Sequence, residues 1–372
     1  MKYKILHYCG RLNDGGAETM IREYALNINK DIFDFSILVN YPYADTANTK
    51  ILLANNIRII PIYNKYTFGI KVWDRLMRWW YFPYRLKKIL SVEKPDVFHA
   101  HLELLQYLKP LSNCLSSLKF FYTCHTEPAV QFTGNNKKEG DAASYLIQNA
   151  NMRIIALHDK MAAEINKMFG VNNTLVLRNG IDLSKFDEQS CTKTLIRNEL
   201  GIPSDAYVIG HVGRFNIYKN HRFLISVFKE CLSERPDAFL LLVGSGELQN
   251  EIRELVISEN LSKHVLILSH RTDVNRLYKV MDVFAFPSLF EGLGIVLIEA
   301  QMAGMKCLVS DKIPREAIIS SNVMSLPLNI STQRWAYFLL HREKIKGQTI
   351  VDPQEYDMKN VIHRLESFYI EK

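Results

Sequence analysis

The sequence lacks the features that mark membrane-spanning, disulfide-rich and zinc-finger proteins. No apolar run approaches the roughly 20 residues that a membrane-spanning helix needs. The six cysteines are scattered without a Cys-x-x-Cys pair, and most lie in apolar runs, which favours buried thiols over disulfides or zinc ligands. The first residues have too short an apolar core for a signal peptide. We therefore expect a cytoplasmic protein.

Low-complexity tracts, sequence repeats and a dinucleotide fingerprint are also missing. No G-x-G-x-x-G follows a strand pattern with an acid about 20 residues later, which disfavours a nicotinamide-dependent dehydrogenase. What is present is ordinary globular composition, with 48% hydrophobic and 23% charged residues. A length of 372 residues predicts two or three domains.

The positive charge of the chain is concentrated in one stretch. Residues 65–90 contain seven basic residues and one acid, a net charge of +6 out of +7 for the whole chain. Within it, residues 71–90 follow a helical period interrupted by Pro83 and alternate aromatic with basic side chains, as interfacial membrane surfaces do. The alternative is a helix that packs its aromatic residues into the core. Nucleic-acid binding is disfavoured, because no base-reading module accompanies the stretch.

The most informative stretch is 282–304, with the sequence DVFAFPSLFEGLGIVLIEAQMAG. A short apolar run typical of a buried strand leads into a turn with two glycines, and an apolar helix pattern follows and ends at Gly304. Such a turn offers free backbone N–H groups and the positive end of a helix dipole to a phosphate. Glu291 and Glu299 bracket it, and eight helical residues rise about 12 Å, roughly the span between the ribose and the sugar of a nucleotide-sugar.

The first half of the chain alternates strand and helix patterns. A strand candidate over residues 3–9 leads to Gly15 and Gly16, and a helix pattern follows. Two further strand candidates end in histidines, PDVFHAH at His101 and YTCHT at His125. Ligands of α/β sheets bind at the carboxyl ends of strands, so these positions are candidate binding residues. For any one of these histidines a purely structural role is the alternative.

The second half repeats the alternation after a polar segment that follows RNGIDLSKF, the stretch with Asn179. A strand candidate over 207–212 precedes Arg214 and Lys219, which could neutralise a diphosphate by a planar fork and a point charge. The next strand candidates lead into GSGEL, which contains Gly244, and into Ser-His-Arg at 269–271.

Taken together, these motifs resemble the retaining glycosyltransferases of family four, which have the GT-B fold. The matching segments, in chain order, are GGAE, PDVFHAH, NGID, GRFNIYKN, GSG and the E-x7-E pair of Glu291 and Glu299. Arg178 replaces the usual proline before NG, Asn220 stands where glycine is common, and SDKIPRE departs from the usual G-G-x-P-E form. Segments like SDKIPRE are similar to those of the capsular and exopolysaccharide branch.

The resemblance implies an α/β protein with two Rossmann-like domains that face each other across a cleft. The expected boundaries are 1–185 for the acceptor-side domain and 186–354 for the nucleotide-sugar domain. Residues 355–372 are expected to form a helix that crosses back to the first domain.

The resemblance also assigns roles to residues. His101, Glu291, Arg214 and Lys219 are the expected catalytic residues, and His125 and Asn179 are expected near the acceptor or the sugar. In detail, Glu299 would accept from the ribose hydroxyls, Glu291 and His101 would bond the donor sugar, and Arg214 and Lys219 would stabilise the leaving diphosphate. The expected donor-binding residues are Gly15, Gly16, Arg214, Lys219, Gly244, His270, Arg271, Glu291, Gly292, Leu293, Gly294, Ile295 and Glu299.

The expected reaction is transfer of a hexose or N-acetylhexosamine from a nucleoside diphosphate sugar, with UDP as the expected nucleotide and with retention at the anomeric carbon. No metal and no cofactor are expected. The expected acceptor is a saccharide, lipid-linked at the inner membrane face, in cell-surface polysaccharide synthesis. A nucleotide-sugar epimerase of the same fold is the main alternative. A non-catalytic subunit is a weaker one, because the charged site residues are all present.

Overall fold

A computed structural model describes residues 2–13, 15–42, 46–63, 71–102, 105–187, 192–271, 273–341 and 350–371, and side chains within them except those of 71–80 and 187. Its strands are β1 (Tyr3–Tyr8), β2 (Phe33–Val39), β3 (Arg58–Pro61), β4 (Val97–His101), β5 (Lys119–Thr123), β6 (Arg153–Ala156), β7 (Leu175–Val176), β8 (Tyr207–Val212), β9 (Ala238–Val243), β10 (Val265–Leu268), β11 (Val283–Phe286), β12 (Cys307–Ser310) and β13 (Val323–Leu326).

The α-helices alternate with these strands. They are α1 (Gly16–Asn27), α2 (Ala47–Ala54), α3 (Lys71–Glu93), α4 (Ser112–Leu115), α5 (Pro128–Phe132), α6 (Lys137–Ala150), α7 (Asp159–Phe169), α8 (Ser184–Asp187), α9 (Lys193–Leu200), α10 (His221–Glu234), α11 (Gln249–Ser258), α12 (Val274–Tyr278), α13 (Ile295–Met302), α14 (Thr332–His341) and α15 (Met358–Ile370). Among the described residues, no helix combines the length and apolar character that crossing a bilayer requires.

The chain folds into two compact units. The first comprises residues 1–180 together with 358–372, and the second comprises 181–357. The sequence analysis placed the corresponding boundaries at 185/186 and 354/355.

Each unit is built on one parallel sheet. The strand order is β3-β2-β1-β4-β5-β6-β7 in the first unit and β10-β9-β8-β11-β12-β13 in the second. The paired strands run in the same direction throughout. Because each order reverses beside its first strand, both sheets have the switch point at which Rossmann-like folds bind ligands. The α/β class and the two Rossmann-like units predicted from the sequence are confirmed.

The last helix, α15, belongs to the first unit. Its apolar residues recur every three or four positions, which gives the helix one apolar face. Val361, Leu365 and Tyr369 on this face are buried in a core that also contains residues of α1, β1, β2 and β5. The predicted return of the C-terminal helix to the first domain is therefore confirmed. The second unit has a separate core that includes Trp335 and Phe228, both fully buried.

Helix α3 corrects the expectation of an interruption at Pro83, because the helix continues through this proline to Glu93. In its second half, Phe82, Leu86 and Leu90 are buried at four-residue spacing, so this part packs one face against the core. The side chains at 71–80, on which the membrane interpretation depends, lie outside the described residues.

Candidate active site

The predicted donor-binding segments of the second unit lie at one edge of its sheet. Gly213 follows β8, Gly244 follows β9, Ser269 follows β10 and Pro287 follows β11, and all four strands are parallel. The carboxyl ends of parallel strands share an edge, so the fold brings together segments that are up to 74 residues apart in the chain.

The loops after β8 and β9 are joined by backbone hydrogen bonds. The Phe215 N–H donates to the Ser245 carbonyl at 3.0 Å, and the Leu248 N–H donates to the Phe215 carbonyl at 2.9 Å. Gly244 has φ +146°, and a Cβ there would lie 2.0 Å from the Gly213 carbonyl oxygen. Only glycine tolerates this approach, so one role of Gly244 is to let the two loops lie side by side.

Lys219 and Glu291 form an ion pair at this edge. Lys219 Nζ lies 2.5 Å from Glu291 Oε1, with only 14% and 10% of the two side chains exposed. The same ammonium lies 4.6 Å from the centre of the Phe286 ring, a cation–π distance. The two charges predicted to contact the diphosphate and the donor sugar are thus held by each other, and the ammonium is also held by an aromatic face.

Helix α13 begins directly after the turn that contains Glu291. Gly294 starts it with φ +76°, a left-handed conformation that favours glycine, and no side chain caps the helix. Among the described residues, the backbone N–H groups of Ile295 and Val296 have no acceptor. Leu293, just before, is buried. A helix start with uncapped N–H groups can hold an anion.

Glu299 lies about one turn into α13, where protein atoms enclose its carboxyl group although the residue keeps some exposed surface. Tyr278 Oη donates to Glu299 Oε2 at 2.9 Å and also lies 3.1 Å from the Val296 carbonyl. Burial raises the pKa of Glu299 to about 7, although the Tyr278 hydrogen bond opposes that shift. This carboxyl group therefore changes its charge near neutral pH.

Other predicted donor residues have partners within the second unit. Arg214 Nε lies 3.3 Å from Glu247 Oε2, with more than half of both side chains exposed. Arg271 donates two hydrogen bonds to Asp273, at 2.7 and 2.6 Å. His270 has a left-handed backbone, with φ +54°. Arg214 is the more accessible of the two arginines.

In the first unit, the predicted residues at the carboxyl edge of the sheet are Gly15, Gly16, His101 and His125. Asn179 lies next to residue 180, where the first segment of this unit ends. Gly15 caps α1 with an extended backbone, and Gly16 begins that helix. A Cβ at Gly15 would lie 2.3 Å from Glu18 Oε2, whereas one at Gly16 would meet nothing within 4 Å. Asn179 Oδ1 is buried and has no hydrogen-bond partner among the described residues.

His101 is fully buried, with both ring nitrogens hydrogen-bonded. Its Nδ1 lies 3.0 Å from His125 Nε2, and its Nε2 lies 3.0 Å from His7 Nδ1. His125, just beyond β5, keeps part of its surface exposed. Of these two predicted residues, His125 is the one that can meet a ligand directly.

The bonds of His101 belong to a longer hydrogen-bonded series, the histidine chain, which the sequence analysis did not foresee. His7 Nε2 and His99 Nδ1 each lie 2.7 Å from the hydroxyl of Tyr369, and His99 Nε2 lies 2.7 Å from Thr123 Oγ1. From one hydrogen bond to the next, its members are His125, His101, His7, Tyr369, His99 and Thr123. The one sequence signal for it is the alternation of side chains between the two faces of β1 and β4. The register of these two strands then places His7 beside His99.

Burial keeps these imidazoles neutral. Burial lowers the pKa of His7, His99 and His101 well below 6.5, and neighbouring histidines lower it further. Burial lowers the pKa of His125 to about 4. One ring nitrogen of each of His7, His99 and His101 lies within 4.8 Å of the other two, close enough for a metal ion. All six ring nitrogens of these histidines are, however, already in hydrogen bonds.

A separate cavity of about 410 Å³ lies at the opposite edge of the second sheet. Tyr207, Asp282 and Lys306, which stand at the amino ends of β8, β11 and β12, line it. The predicted donor residues do not line this cavity.

Comparison with known proteins identifies the family. Residues 14–185 match the model described as Glycosyltransferase Family 4, and residues 192–325 match the model described as Glycosyl transferases group 1. EpsF of Bacillus subtilis (strain 168), named as a glycosyltransferase, is 31% identical over 83% of this chain and 79% of its own length. The chain belongs to glycosyltransferase family 4.

Another relative of this family 4 glycosyltransferase is the Escherichia coli UDP-Gal:alpha-D-GlcNAc-diphosphoundecaprenol alpha-1,3-galactosyltransferase. It is 29% identical, over 61% of this chain and 60% of its own length. This family 4 protein is also similar to CapM, a capsular polysaccharide biosynthesis glycosyltransferase of Staphylococcus aureus. The two are 37% identical over 33% of this chain and 32% of CapM.

Solved structures agree on the fold. Anabaena HepE, crystallised with UDP and glucose, superposes with a TM-score of 0.77 and 19% identity over 98% of both chains. WaaG, a glycosyltransferase of lipopolysaccharide biosynthesis, gives a TM-score of 0.71 at 15% identity over 99% of this chain and all of its own. Together with the two parallel sheets, these neighbours establish the GT-B fold.

Proposed function

We propose that the protein is a retaining glycosyltransferase that moves a hexose or N-acetylhexosamine from a UDP-sugar to a lipid-linked saccharide in cell-surface polysaccharide synthesis. The observation that supports it most strongly is the grouping at one sheet edge. Three features lie there: the Lys219–Glu291 pair, the uncapped start of α13 and the carboxyl group of Glu299. All of them belong to the turn and helix that follow β11, except Lys219, which lies in the loop after the neighbouring strand β8.

Each of these groups suits one part of the donor. Lys219 and the N–H groups of Ile295 and Val296 would stabilise the leaving diphosphate, which is preorganised stabilisation of developing charge. Glu299 would accept from the ribose hydroxyls. Glu291 would accept from hydroxyls of the donor sugar. Arg214, more than half exposed, is able to turn from Glu247 to a phosphate oxygen.

In the proposed reaction, the bond between the anomeric carbon and the phosphate oxygen breaks and a bond to an acceptor hydroxyl oxygen forms on the same face. The leaving diphosphate takes the proton of the acceptor hydroxyl. Since lysine, arginine and backbone N–H groups neutralise the diphosphate in this scheme, we propose that the reaction requires no metal ion. Activity should then survive EDTA.

The identities of donor and acceptor are supported by relatives. HepE was crystallised with UDP-glucose, and the Escherichia coli relative is named for a UDP-Gal donor and a diphosphoundecaprenol acceptor. EpsF, the Escherichia coli relative, CapM and WaaG are all named as transferases of sugars, which favours transfer over epimerisation of the same donors.

A screen of donor hydrolysis tests the proposal. Purified protein is incubated with UDP-glucose, UDP-galactose, UDP-N-acetylglucosamine, GDP-mannose and NAD, beside the variants Glu291→Ala and Glu251→Ala. Glu251 is a matched control, because it pairs with Arg222 on the surface of the same unit. We expect slow release of UDP from one donor, lost in Glu291→Ala and kept in Glu251→Ala. A protein that hydrolyses none of these donors and does not bind UDP would refute the nucleotide-sugar assignment.

Membrane contact through residues 71–90 is part of the same proposal. The stretch is basic and aromatic, which suits an anionic membrane that holds a lipid-linked acceptor. Replacing Arg75, Arg78, Trp79 and Trp80 together should lower sedimentation with vesicles of phosphatidylglycerol and phosphatidylcholine. Unchanged sedimentation would refute it.

A further inference from the structure

The second unit contains a buried imidazole whose hydrogen bonding is incomplete. His211 lies near the end of β8 with no exposed surface, and its Nδ1 is 2.8 Å from the Ala285 carbonyl oxygen. A carbonyl oxygen can only accept, so Nδ1 carries a proton and donates it. Because a neutral imidazole has a single N–H, its Nε2 is an acceptor. Among the described residues, nothing donates to this nitrogen.

A buried acceptor without a donor is unfavourable. It costs free energy, and most buried polar atoms in folded proteins have a partner. Burial lowers the pKa of His211 to about 4, the bond to Ala285 opposes this shift, and the charge of Lys219 lowers the pKa further. The imidazole therefore takes up no second proton near neutral pH, and Nε2 stays a neutral acceptor.

The side chain of Lys219 lies beside this nitrogen. The point that a Cβ of Gly213 would occupy is 3.3 Å from His211 Nε2 and 3.1 Å from both Cδ and Cε of Lys219. Because residue 213 is a glycine, this space stays open. The ammonium lies 4.6 Å from the centre of the Phe286 ring, which is itself 5.9 Å from the centre of the His211 ring. Rotation about the Cδ–Cε bond can thus turn the ammonium from Glu291 towards the imidazole while the methylene groups stay in place.

A second buried histidine packs against the first. The His221 ring lies edge-on to His211, with 4.8 Å between the ring centres, and stacks on Phe215 at 4.2 Å. Its nitrogens also have no partner among the described residues. Burial lowers the pKa of His221 to about 2, and His211 and Lys219 contribute to that shift. Both imidazoles are therefore neutral, so they offer Lys219 acceptor nitrogens without a second negative charge.

We propose that His211 is a positioning residue for Lys219. When a diphosphate draws the ammonium away from Glu291, His211 Nε2 accepts one of its three N–H groups and fixes its direction at the carboxyl edge of the second sheet. That the diphosphate belongs to a sugar donor rests on the proposed function, whereas the contact between Lys219 and His211 does not. A neutral acceptor suits this task, because a second carboxylate would cancel the charge that Lys219 brings to the phosphates.

Nitrogen-15 NMR of histidine-labelled protein tests the contact. The Nε2 resonance of His211, assigned by its loss in His211→Asn, should move upfield when UDP saturates the protein, because this nitrogen gains a hydrogen-bond donor. His264 is the internal control, since its Nδ1 also bonds to a strand carbonyl, that of Ala238 at 3.2 Å, at the opposite edge of the sheet. A His211 resonance that does not move, or that moves equally in Lys219→Met, would overturn the proposal.

Binding of UDP to paired variants tests whether His211 acts through Lys219. The amide nitrogen of asparagine can occupy the position of Nδ1, so His211→Asn can keep the bond to Ala285 while it loses the acceptor. We expect it to weaken UDP binding in calorimetry by about tenfold, the effect of one hydrogen bond to a charged group, and His264→Asn to leave binding unchanged. In a Lys219→Met background, His211→Asn should weaken binding no further. An equal loss in both backgrounds would show a merely structural role, and melting temperatures check that the variants fold.

A ligand-free measurement separates this proposal from the proposed function. Glu291→Ala removes the carboxylate that holds Lys219, so the ammonium should bond to His211 Nε2 and move its resonance upfield without UDP. A protein that binds no UDP but shows this shift would refute the nucleotide-sugar assignment and support the contact. A protein that hydrolyses a donor while His211 Nε2 stays unbonded in both measurements would do the reverse.

Discussion

The proposed ribose contact at Glu299 makes nucleotide-sugar binding depend on pH. Burial raises the pKa of this carboxyl group to about 7. A carboxylate that accepts from two ribose hydroxyls must be ionised, so binding should release a proton wherever Glu299 is protonated in the free protein. If only the ionised form binds, the affinity should be about tenfold lower at pH 6 than at pH 8.

The same shift has a consequence for stability, with the opposite sign. The folded protein holds this proton more tightly than the unfolded chain, whose glutamate pKa is near 4.5. The contribution of Glu299 to the unfolding free energy is therefore complete below about pH 4.5 and is lost as pH rises through about 7. The loss is about 3 kcal/mol. Glu299→Gln should thus be more stable than the wild type at pH 8 and bind the nucleotide less well.

Calorimetric titration with UDP-glucose between pH 6 and pH 8 is the assay, because its diphosphate keeps a constant charge there. Glu299→Gln is the matched control. Its amide has a similar shape and can still accept from Tyr278, but it does not ionise. Wild-type affinity that is flat across this range, or a pH dependence equal to that of Glu299→Gln, would refute the reasoning.

The remaining predictions concern the backbone and the ion pair at the same edge. Gly244→Ala should lower the unfolding free energy by about 3 kcal/mol, because its Cβ would meet the Gly213 carbonyl, whereas Gly304→Ala has open space and should cost about 1 kcal/mol. Similar costs in chemical denaturation would contradict this. Lys219→Met should cost about 3 kcal/mol by leaving a nearly buried carboxylate unpaired, and adding Glu291→Gln should restore part of it. Additive losses would show that the pair is not coupled.

Much of the second unit could be predicted from the sequence, because its information is local. The segment 282–304 encodes strand, turn and helix in one stretch, and α13 begins at Ile295 and ends before Gly304 as its pattern indicates. The glycine at 294 is needed for a left-handed turn, which is a property of one residue. Such features survive any change in the rest of the fold.

The pairings between distant residues could not be predicted. Lys219 contacts Glu291 only because β8 and β11 are neighbours in the sheet, and Tyr369 reaches His7 across 362 positions. The predicted bond from His101 to the donor sugar needs a free ring nitrogen, whereas both of its nitrogens bond to other histidines. A sequence motif carries no information about these partners. Helix α3 passes through Pro83 because tertiary packing of Phe82 and Leu86 outweighs the local preference.

The central claim is transfer of a sugar from a nucleoside diphosphate with retention at the anomeric carbon. It is tested most directly by proton NMR of the first sugar released from the α-linked donor that the hydrolysis screen identifies. Mutarotation is slower than the early measurements, so the anomer formed first can be recognised. The account predicts that the α-anomer appears first and is absent with Glu291→Ala. Initial release of the β-anomer would contradict it.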